Sequence, residues 1–179
     1  MSGAEVGTSV EHANPWFSVT RREVDGQPWF RVVRPDSAMM IATDDIGRIL
    51  VVRGVRDTTG PDACIEFPCG SVDEGEDPAA AAVRETAEEA GVLVTDPYRI
   101  GGFVESPGIS AAVCHVFTGR IGDSVPQRLE SGEAWTARLL DVDDLRAAVG
   151  RGAIRDAGTL AALSLFEAAR RQDEELEPF

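Results

Sequence analysis

Residues 70–92 constrain the fold of this chain more than any other part of its sequence, which reads there GSVDEGEDPAAAAVRETAEEAGV. Asp77 followed by Pro78 predicts the start of a helix, because aspartate caps helix N-termini and proline is favoured at the first helical position. A run of alanines and other good helix formers follows. Gly91 stands where a glycine commonly ends a helix. We therefore predict one helix between Pro78 and Gly91.

The predicted helix separates its acidic side chains from its apolar ones. At about 100° per residue, Glu85, Glu88 and Glu89 lie within about 100° of one another. The residues on the opposite side are predicted to pack inward: Ala79, Ala80, Val83, Ala87 and Ala90. Carboxylates at these spacings repel each other by roughly a few tenths of a kcal/mol per pair, so a bound cation would stabilise the cluster.

A cluster of carboxylate oxygens suits Mg²⁺ or Mn²⁺, and both ions can bind phosphate oxygens at the same time. A solvated acidic helix face is the plain alternative. For an isolated E-x-x-E-E pattern, that alternative would be the better interpretation. The residues around the pattern decide between the two.

The stretch resembles the Nudix box, G-x5-E-x7-R-E-U-x-E-E-x-G-U, in which U is a bulky apolar residue. The matching residues are Gly70, Glu76, Arg84, Glu85, Glu88, Glu89, Gly91 and Val92. Thr86 departs from the pattern at the first U position. Because these residues stand at fixed offsets, the metal site is favoured over the solvated face. The resemblance implies a Mg²⁺-dependent hydrolase that cuts a diphosphate linked to another group.

The resemblance also implies a role for each residue of the site. Glu85 and Glu89 are the expected principal metal ligands, Glu88 shares a second ion, and the backbone carbonyl of Cys69 completes the site. Arg84 and Glu76 are expected to brace the loop and the helix as supporting residues. The alternative for Arg84 is an ordinary surface ion pair.

Segments on either side of the box resemble those of ADP-ribose pyrophosphatases. The run RILVVRGVR ends in Arg56, EFPCG resembles an E-x-P-A-G entry to the box, SPG resembles their S-P-G loop, and residues 154–160 resemble their last helix. Each alone is equally a solvated strand end, a loop carboxylate or an ordinary turn. Together they favour a pyrophosphatase acting on ADP-ribose or a nucleotide sugar. The implied substrate contacts are Arg56, Glu66, Ser106, Pro107 and Gly108.

Two departures from the resemblance bear on function. Ala112 stands where relatives commonly carry a glutamate after S-P-G, and Gly54 stands where many carry glutamine. Glu130 or Glu133 is a candidate replacement for the missing acid, and the general base is either Glu133 or a glutamate of the box. Two other functions stay open, namely hydrolysis of a different nucleoside diphosphate derivative and non-catalytic sensing of a nucleotide.

The composition limits the partners. A formal net charge of −14 argues against nucleic acid or an anionic membrane as partner. It is compatible with a small phosphorylated substrate, because cations and local arginines can bind phosphates. Cys64, Cys69 and Cys114 form no C-x-x-C pair, and no secretion signal is visible, so a cytoplasmic protein is expected.

The order of predicted elements gives the fold class. Strands are predicted at residues 16–20 and 29–34, joined around Asp25-Gly26, and at 37–43, 48–55, 98–105, 111–119 and 134–140. A turn-rich loop is predicted at 58–63. Further helices are predicted at 142–149, with Asp141 as cap, and at 157–171. This pattern indicates an α/β (α+β) protein with a mixed sheet covered by helices. The resemblance implies the Nudix fold, an α/β/α sandwich with an N-terminal β extension.

We predict a mobile N-terminus over residues 1–14, a single domain over 15–171 and an acidic tail over 172–179. Relatives dimerise through their N-terminal segment, which implies a homodimer through residues 15–36. Trp16, Trp29 and Phe30 in this region are candidates for stacking on adenine, although such residues are more often core or dimer contacts.

Overall fold

The computed structural model describes residues 7–56, 58, 63–130 and 132–176, with side chains described as far as residue 171. Most of the turn-rich loop predicted at 58–63 lies outside the described residues. So do residues 1–6 of the predicted mobile N-terminus and residues 177–179 of the predicted tail.

The N-terminal part folds into a separate antiparallel sheet. Its strands, in the order β1-β2-β3, are β1 (Ser9–Ala13), β2 (Ser18–Val24) and β3 (Gln27–Val33). Strands β2 and β3 are joined at Asp25 and Gly26, which have φ angles of 51° and 75°. Positive φ at both central residues is typical of a tight two-residue hairpin, so the predicted turn is confirmed.

The start of this sheet differs from the prediction. Residues 9–13, predicted to be mobile, form β1 and pair with β2. Strand β2 begins at Ser18 and not at Trp16, because the Asn14 side chain accepts hydrogen bonds from the amides of Trp16 and Phe17 (2.9 Å each) and forms a turn there.

The second sheet is mixed, as predicted. Its strands are β4 (Ser37–Thr43), β5 (Ile49–Gly54), β6 (Cys64–Glu66), β7 (Cys69–Ser71), β8 (Val92–Val104), β9 (Val113–Ser124) and β10 (Thr136–Leu140). The order is β10-β5-β4-β9-β8, with β6 paired to β5 and β7 paired to β4. Strands β4 and β9 are parallel, and the other pairs are antiparallel.

Helices cover both faces of this sheet. They are α1 (Pro78–Ala90), α2 (Val142–Gly150) and α3 (Ala157–Leu176). Strand β4 is buried on both sides: Met39 and Ile41 pack in one core with α2 and α3, whereas Ala38, Met40 and Ala42 pack in another with α1. The predicted α/β/α arrangement is therefore confirmed.

Several element bounds differ from the sequence prediction, most of all those of β8 and α3. Strand β8 begins at Val92, well before residue 98, and its pairing with β9 shifts register between Thr95 and Tyr98, near Asp96 with a φ of 51°. Helix α3 continues to Leu176, because glutamate, glutamine and leucine in the predicted tail are good helix formers. No helix within the described ranges is both long and apolar enough to cross a membrane.

Candidate active site

Helix α1 has the predicted bounds and the predicted residues at both ends. Pro78 occupies its first turn, and Gly91 ends it with a φ of 70° while donating to the carbonyl of Ala87 (3.1 Å). A side chain at Gly91 would meet the carbonyl oxygen of Val125 at 2.9 Å. Asp77 occupies the N-cap position, as predicted, but its side chain makes no capping hydrogen bond.

The buried side of the helix lies between the predicted apolar side and the acidic side, so the prediction was right only in part. Its buried residues are Ala81, Ala82, Thr86, Glu89 and Ala90. Of the residues predicted to pack inward, Ala90 does so, Ala80 is exposed, and the others are half-buried. An alanine stripe buries little surface, so the packing of α1 on β4, β7 and β8 sets its orientation. The Thr86 hydroxyl fits this buried place by donating to the carbonyl of Ala82 (2.7 Å).

Glu89 is a buried carboxylate, only 3% exposed. It accepts one hydrogen bond from the backbone amide of Cys69 (3.0 Å), at the start of β7. Burial raises its pKa to about 8, the charges of Glu133 and Glu85 add to the rise, and the Cys69 amide and Arg56 oppose it. A carboxyl held in this way gains strongly from a nearby cation.

Glu85 lies directly against the loop that precedes the helix. A side chain on Gly70 would collide with the Glu85 carboxyl group, so that with a larger residue at this position the carboxyl group would have to move. Burial raises the pKa of Glu85, and the Arg84 guanidinium opposes the rise. The glycine therefore allows the ligand helix and the loop to approach closely.

Arg84 joins the loop to the acidic cluster. Its guanidinium donates to Glu76 (2.9 and 3.0 Å), Glu85 (2.7 Å), Glu88 (3.2 Å) and the carbonyl of Ser71 (3.0 Å). Glu76 also accepts from the amide of Asp73 (3.1 Å), and its bond with Arg84 lowers its pKa. These contacts are far more than one surface ion pair, and they fit the bracing role expected of Arg84 and Glu76.

The carboxylates of Glu85, Glu88 and Glu89 are engaged by Arg84 and by the Cys69 amide. As they stand, no three acidic, thiol or imidazole side chains in the described part of the chain converge on one point to hold a metal ion. The donor set nevertheless fits a divalent cation, because three neighbouring carboxylates, one of them deeply buried, would share its charge. Arg84 engages one carboxylate oxygen of Glu85 and one of Glu88, so each has a second oxygen that a cation could bind.

Arg56 and Glu66 form an ion pair next to this cluster. Two guanidinium nitrogens of Arg56 donate to the two carboxylate oxygens of Glu66 (3.3 and 2.7 Å). The guanidinium carbon of Arg56 lies 4.7 Å from the ring centroid of Trp135. The two residues predicted from the flanking segments are therefore brought together, with a tryptophan that the sequence analysis missed.

The loop that joins β9 to β10 comprises residues 125–135, of which residue 131 is not described. It is tied to the end of α1: the amides of Val125 and Arg128 donate to the carbonyls of Gly91 (2.9 Å) and Glu88 (3.0 Å). The Gln127 side chain donates to the carbonyl of Glu89. Farther along, Glu133 accepts from the amide of Glu130 (3.0 Å) and is near enough to Glu89 to raise its pKa.

Ser106, Pro107 and Gly108 form an exposed turn. The Ser106 carbonyl accepts from the amides of Ile109 (2.9 Å) and Ser110 (2.8 Å), and the Ile109 carbonyl accepts from Val32 in β3 (2.8 Å). These contacts place the turn against the N-terminal sheet. Its role as a substrate contact stays a prediction.

The surroundings of this turn include one acid that the sequence analysis missed. Glu105 accepts from the Ser37 hydroxyl (2.5 Å) and pairs with Arg34 (2.8 Å). Ala112 is only 6% exposed, and its carbonyl accepts from the Glu105 amide (3.3 Å). The side chain of a glutamate at position 112 would therefore have to extend from a buried position in the chain.

A cavity of about 1080 Å³ lies elsewhere, between α2, α3 and the sheet, with Tyr98, Arg146 and Arg170 in its lining. None of the box residues lines it. The clustered acids and arginines, and not the size of a cavity, identify the candidate site.

Comparison with known proteins agrees with this site. The NUDIX domain family matches residues 33–163, which include the box and the loop that carries Glu133. The chain belongs to the NUDIX family, and it is an enzyme of the hydrolase class.

Two relatives and one solved structure are similar to most of this chain. The chain is 29% identical over 169 residues to the ADP-ribose pyrophosphatase of Bacillus subtilis, which covers 93% of this chain and 87% of that protein. It is 29% identical over 132 residues to a CMP-5'-(N-acetyl-N-hydroxy-3-aminopropyl)phosphonate hydrolase of Streptomyces rubellomurinus, over 72% of this chain and 62% of that protein. The solved structure of an ADP compounds hydrolase superposes with a TM-score of 0.79 at 16% identity, over 93% of each chain, which shows the fold.

Proposed function

We propose that this protein hydrolyses the diphosphate of ADP-ribose, or of a related nucleoside diphosphate sugar, to a nucleoside monophosphate and a sugar phosphate. The observation that carries the proposal is the similarity over nearly the whole chain to an ADP-ribose pyrophosphatase. The Arg56–Glu66 pair supports it, because it fixes a guanidinium beside the acidic cluster where a diphosphate would lie. We propose Mg²⁺ as the cofactor, with Mn²⁺ as a possible substitute.

Glu85, Glu88 and Glu89, with the carbonyl of Cys69, would hold the cation. When bound, such a cation neutralises diphosphate oxygens and activates a water. The other residues of the site would then bind the substrate, accept a proton or hold the site together. Arg56 carries five donors, so it can engage Glu66 and a phosphate oxygen together.

Glu133 is the proposed general base, because it is half-buried in the loop beside Glu89 and can accept a proton from the attacking water. Arg84 and Glu76 keep the loop of the box against α1 while the substrate is bound. Ser106, Pro107 and Gly108 are proposed to contact the substrate at the rim.

The purified protein with Mg²⁺ is expected to convert ADP-ribose to AMP and ribose 5-phosphate, faster than it cleaves nucleoside triphosphates. The measurement is a product assay by chromatography over a panel of ADP-ribose, nucleotide sugars, dinucleoside polyphosphates and triphosphates. The Glu89→Gln protein, purified in the same way, controls for contaminating phosphatases. Preferred cleavage of a triphosphate or a dinucleoside polyphosphate would overturn the assignment. Thermal stabilisation by ADP-ribose without any cleavage would instead support a nucleotide sensor.

A second candidate is hydrolysis of a different nucleotide derivative. The similarity to a hydrolase of a CMP-linked phosphonate favours it. Cytidine-containing diphosphates in the same panel distinguish the two, since this candidate requires their cleavage to exceed that of ADP-ribose.

We propose that the protein is a homodimer formed through its N-terminal sheet. Several large apolar residues there are exposed, among them Trp16 (73%), Trp29 (53%) and Phe30 (51%). This exposure excludes a core role for them in the single chain and is typical of an interface. We expect light scattering to give the mass of two chains, and Phe30→Asp to give the mass of one. Ile46→Asp, at an exposed apolar residue of the β4–β5 turn, should stay dimeric. A wild-type monomer at tens of micromolar would refute the proposal.

A further inference from the structure

Trp135 lies at the centre of a contact that the roles proposed above do not use. Its side chain is only 5% exposed, and one face of its ring covers the guanidinium of Arg56, at 4.7 Å from the centroid. On its edges, the same guanidinium is held by both carboxylate oxygens of Glu66. Arg56 is thus fixed in two directions, by a carboxylate in its plane and by an aromatic ring across its face.

Gly54 makes room for this ring. A side chain there would lie 2.5 Å from Cε3 of Trp135, 2.8 Å from Cζ3 and 2.8 Å from the carbonyl oxygen of Ala134. The backbone oxygen cannot move aside as the tip of a flexible side chain could. Any residue with a Cβ at position 54, including the glutamine common in relatives, would displace the tryptophan.

The polar atom of Trp135 contributes nothing to its placement. Its indole nitrogen is buried and has no hydrogen-bond partner among the described residues. Leaving such a donor unpaired opposes folding, so the indole N–H does not explain why a tryptophan stands at position 135. The ring packs in the apolar core on the α1 side of the sheet and presents one face to Arg56.

We propose that Trp135 is a positioning residue, whose ring fixes the Arg56 guanidinium for the substrate diphosphate, and that Gly54 is the partner that makes its place possible. This inference rests on the proposed function in so far as Arg56 contacts substrate. It predicts that Trp135 acts on substrate binding through Arg56 alone.

The first test compares Trp135→Leu with Trp135→Phe. Trp135→Leu is expected to raise KM for the cleaved substrate by about 2- to 30-fold, the size expected for loss of a desolvated cation–π contact, with kcat changed by less than about 2-fold. Trp135→Phe keeps an aromatic face and removes the unpaired N–H, so its KM should stay near that of the wild type. Equal effects of the two variants would overturn the proposal.

A double-mutant cycle tests the route of the effect. On an Arg56→Ala background, Trp135→Leu should raise KM no further, because the residue that it positions is already gone. An equal increase with and without Arg56 would show that Trp135 acts by another route and would overturn the proposal.

A readout without catalysis separates this inference from the proposed function. In nitrogen-15-labelled protein, the Nε–H signal of Arg56, assigned with Arg56→Lys, should be shifted upfield by the ring current of Trp135. Trp135→Leu should remove this shift and Trp135→Phe should keep most of it. A signal that does not move in Trp135→Leu refutes the positioning role whatever the substrate. A signal that moves in a protein that cleaves no diphosphate supports the positioning role and refutes the proposed function alone.

Discussion

The Glu89→Gln variant is expected to lose metal-dependent hydrolysis, with kcat at least about a thousandfold lower, while its fold persists. Glutamine has the shape of glutamate, so it fills the same buried place and can still accept the hydrogen bond from the Cys69 amide. It lacks the charge that a cation needs at this position, and cation-derived stabilisation of the transition state is worth several kcal/mol. The measurement is steady-state turnover of the best substrate from the panel. Near-normal turnover would remove the box from the mechanism.

The same variant should change how stability depends on pH. Burial raises the pKa of Glu89 from 4.5 to about 8. A carboxyl with a higher pKa in the folded than in the unfolded chain favours folding while it is protonated in both, below its unfolded pKa. That contribution is lost as pH rises through the folded pKa. The metal-free wild type should therefore lose stability from about pH 4.5 to about pH 8, and Glu89→Gln should lose less.

Melting temperatures in a chelator across this pH range test the expectation. The variant should melt at the same temperature as the wild type or higher, with a difference that grows toward pH 8. Added Mg²⁺ should raise the melting temperature of the wild type only. Glu74→Gln, at an exposed position of the same box, is the matched control and should follow the wild type. Parallel curves for Glu89→Gln and the wild type would contradict the burial argument.

The Glu133→Gln variant is expected to lower turnover by about a hundredfold or more, the usual scale for loss of a general base. Its effect on KM should be small, because the glutamate acts on the water and not on the substrate. Ala112 carries no carboxylate, whereas the loop of residues 125–135 brings Glu133 near enough to Glu89 to raise its pKa. Of its two glutamates, Glu133 is half-buried and Glu130 is exposed.

Glu130→Gln is the neighbouring control for this variant. Its charge contributes to the raised pKa of Glu85, after burial and Glu88, so a change of a fewfold is expected. Full activity in both variants would place the general base within the box. A larger loss in Glu130→Gln than in Glu133→Gln would reverse their roles.

Local signals in the sequence predicted much of the secondary structure. The Asp25-Gly26 turn follows from turn chemistry, and the bounds of β4 follow from a largely apolar run. The bounds of α1 follow from a proline start and a glycine end. The orientation of α1 followed only in part, because alanines on one side give a weak preference, and the tertiary fit of Thr86 and Glu89 decided which side is buried. Local rules commonly fail where a site is built.

Contacts between distant segments of the chain could not be predicted from the sequence either. The box residues come together because one helix and its preceding loop carry them. Arg56 and Glu66 were predicted singly from their resemblance, and β5 and β6 bring them into one pair. Trp135 reaches Arg56 only because β10 lies beside β5 in the sheet. The glycine at position 54 was the one visible sign of it, since a missing side chain indicates that something else fills the space.

The ties between α1 and the loop of residues 125–135 have a consequence for how this enzyme can change. The carbonyls at the end of a helix need partners, and here the first residues of the loop supply them at Glu88, Glu89 and Gly91. These bonds fix the start of the loop to α1. Glu133, the proposed general base, stands farther along the same loop. A change in the length of the loop near its start would therefore disturb the end of the acidic helix and the placement of Glu133 together, so the metal ligands and the proposed base are coupled through one piece of chain.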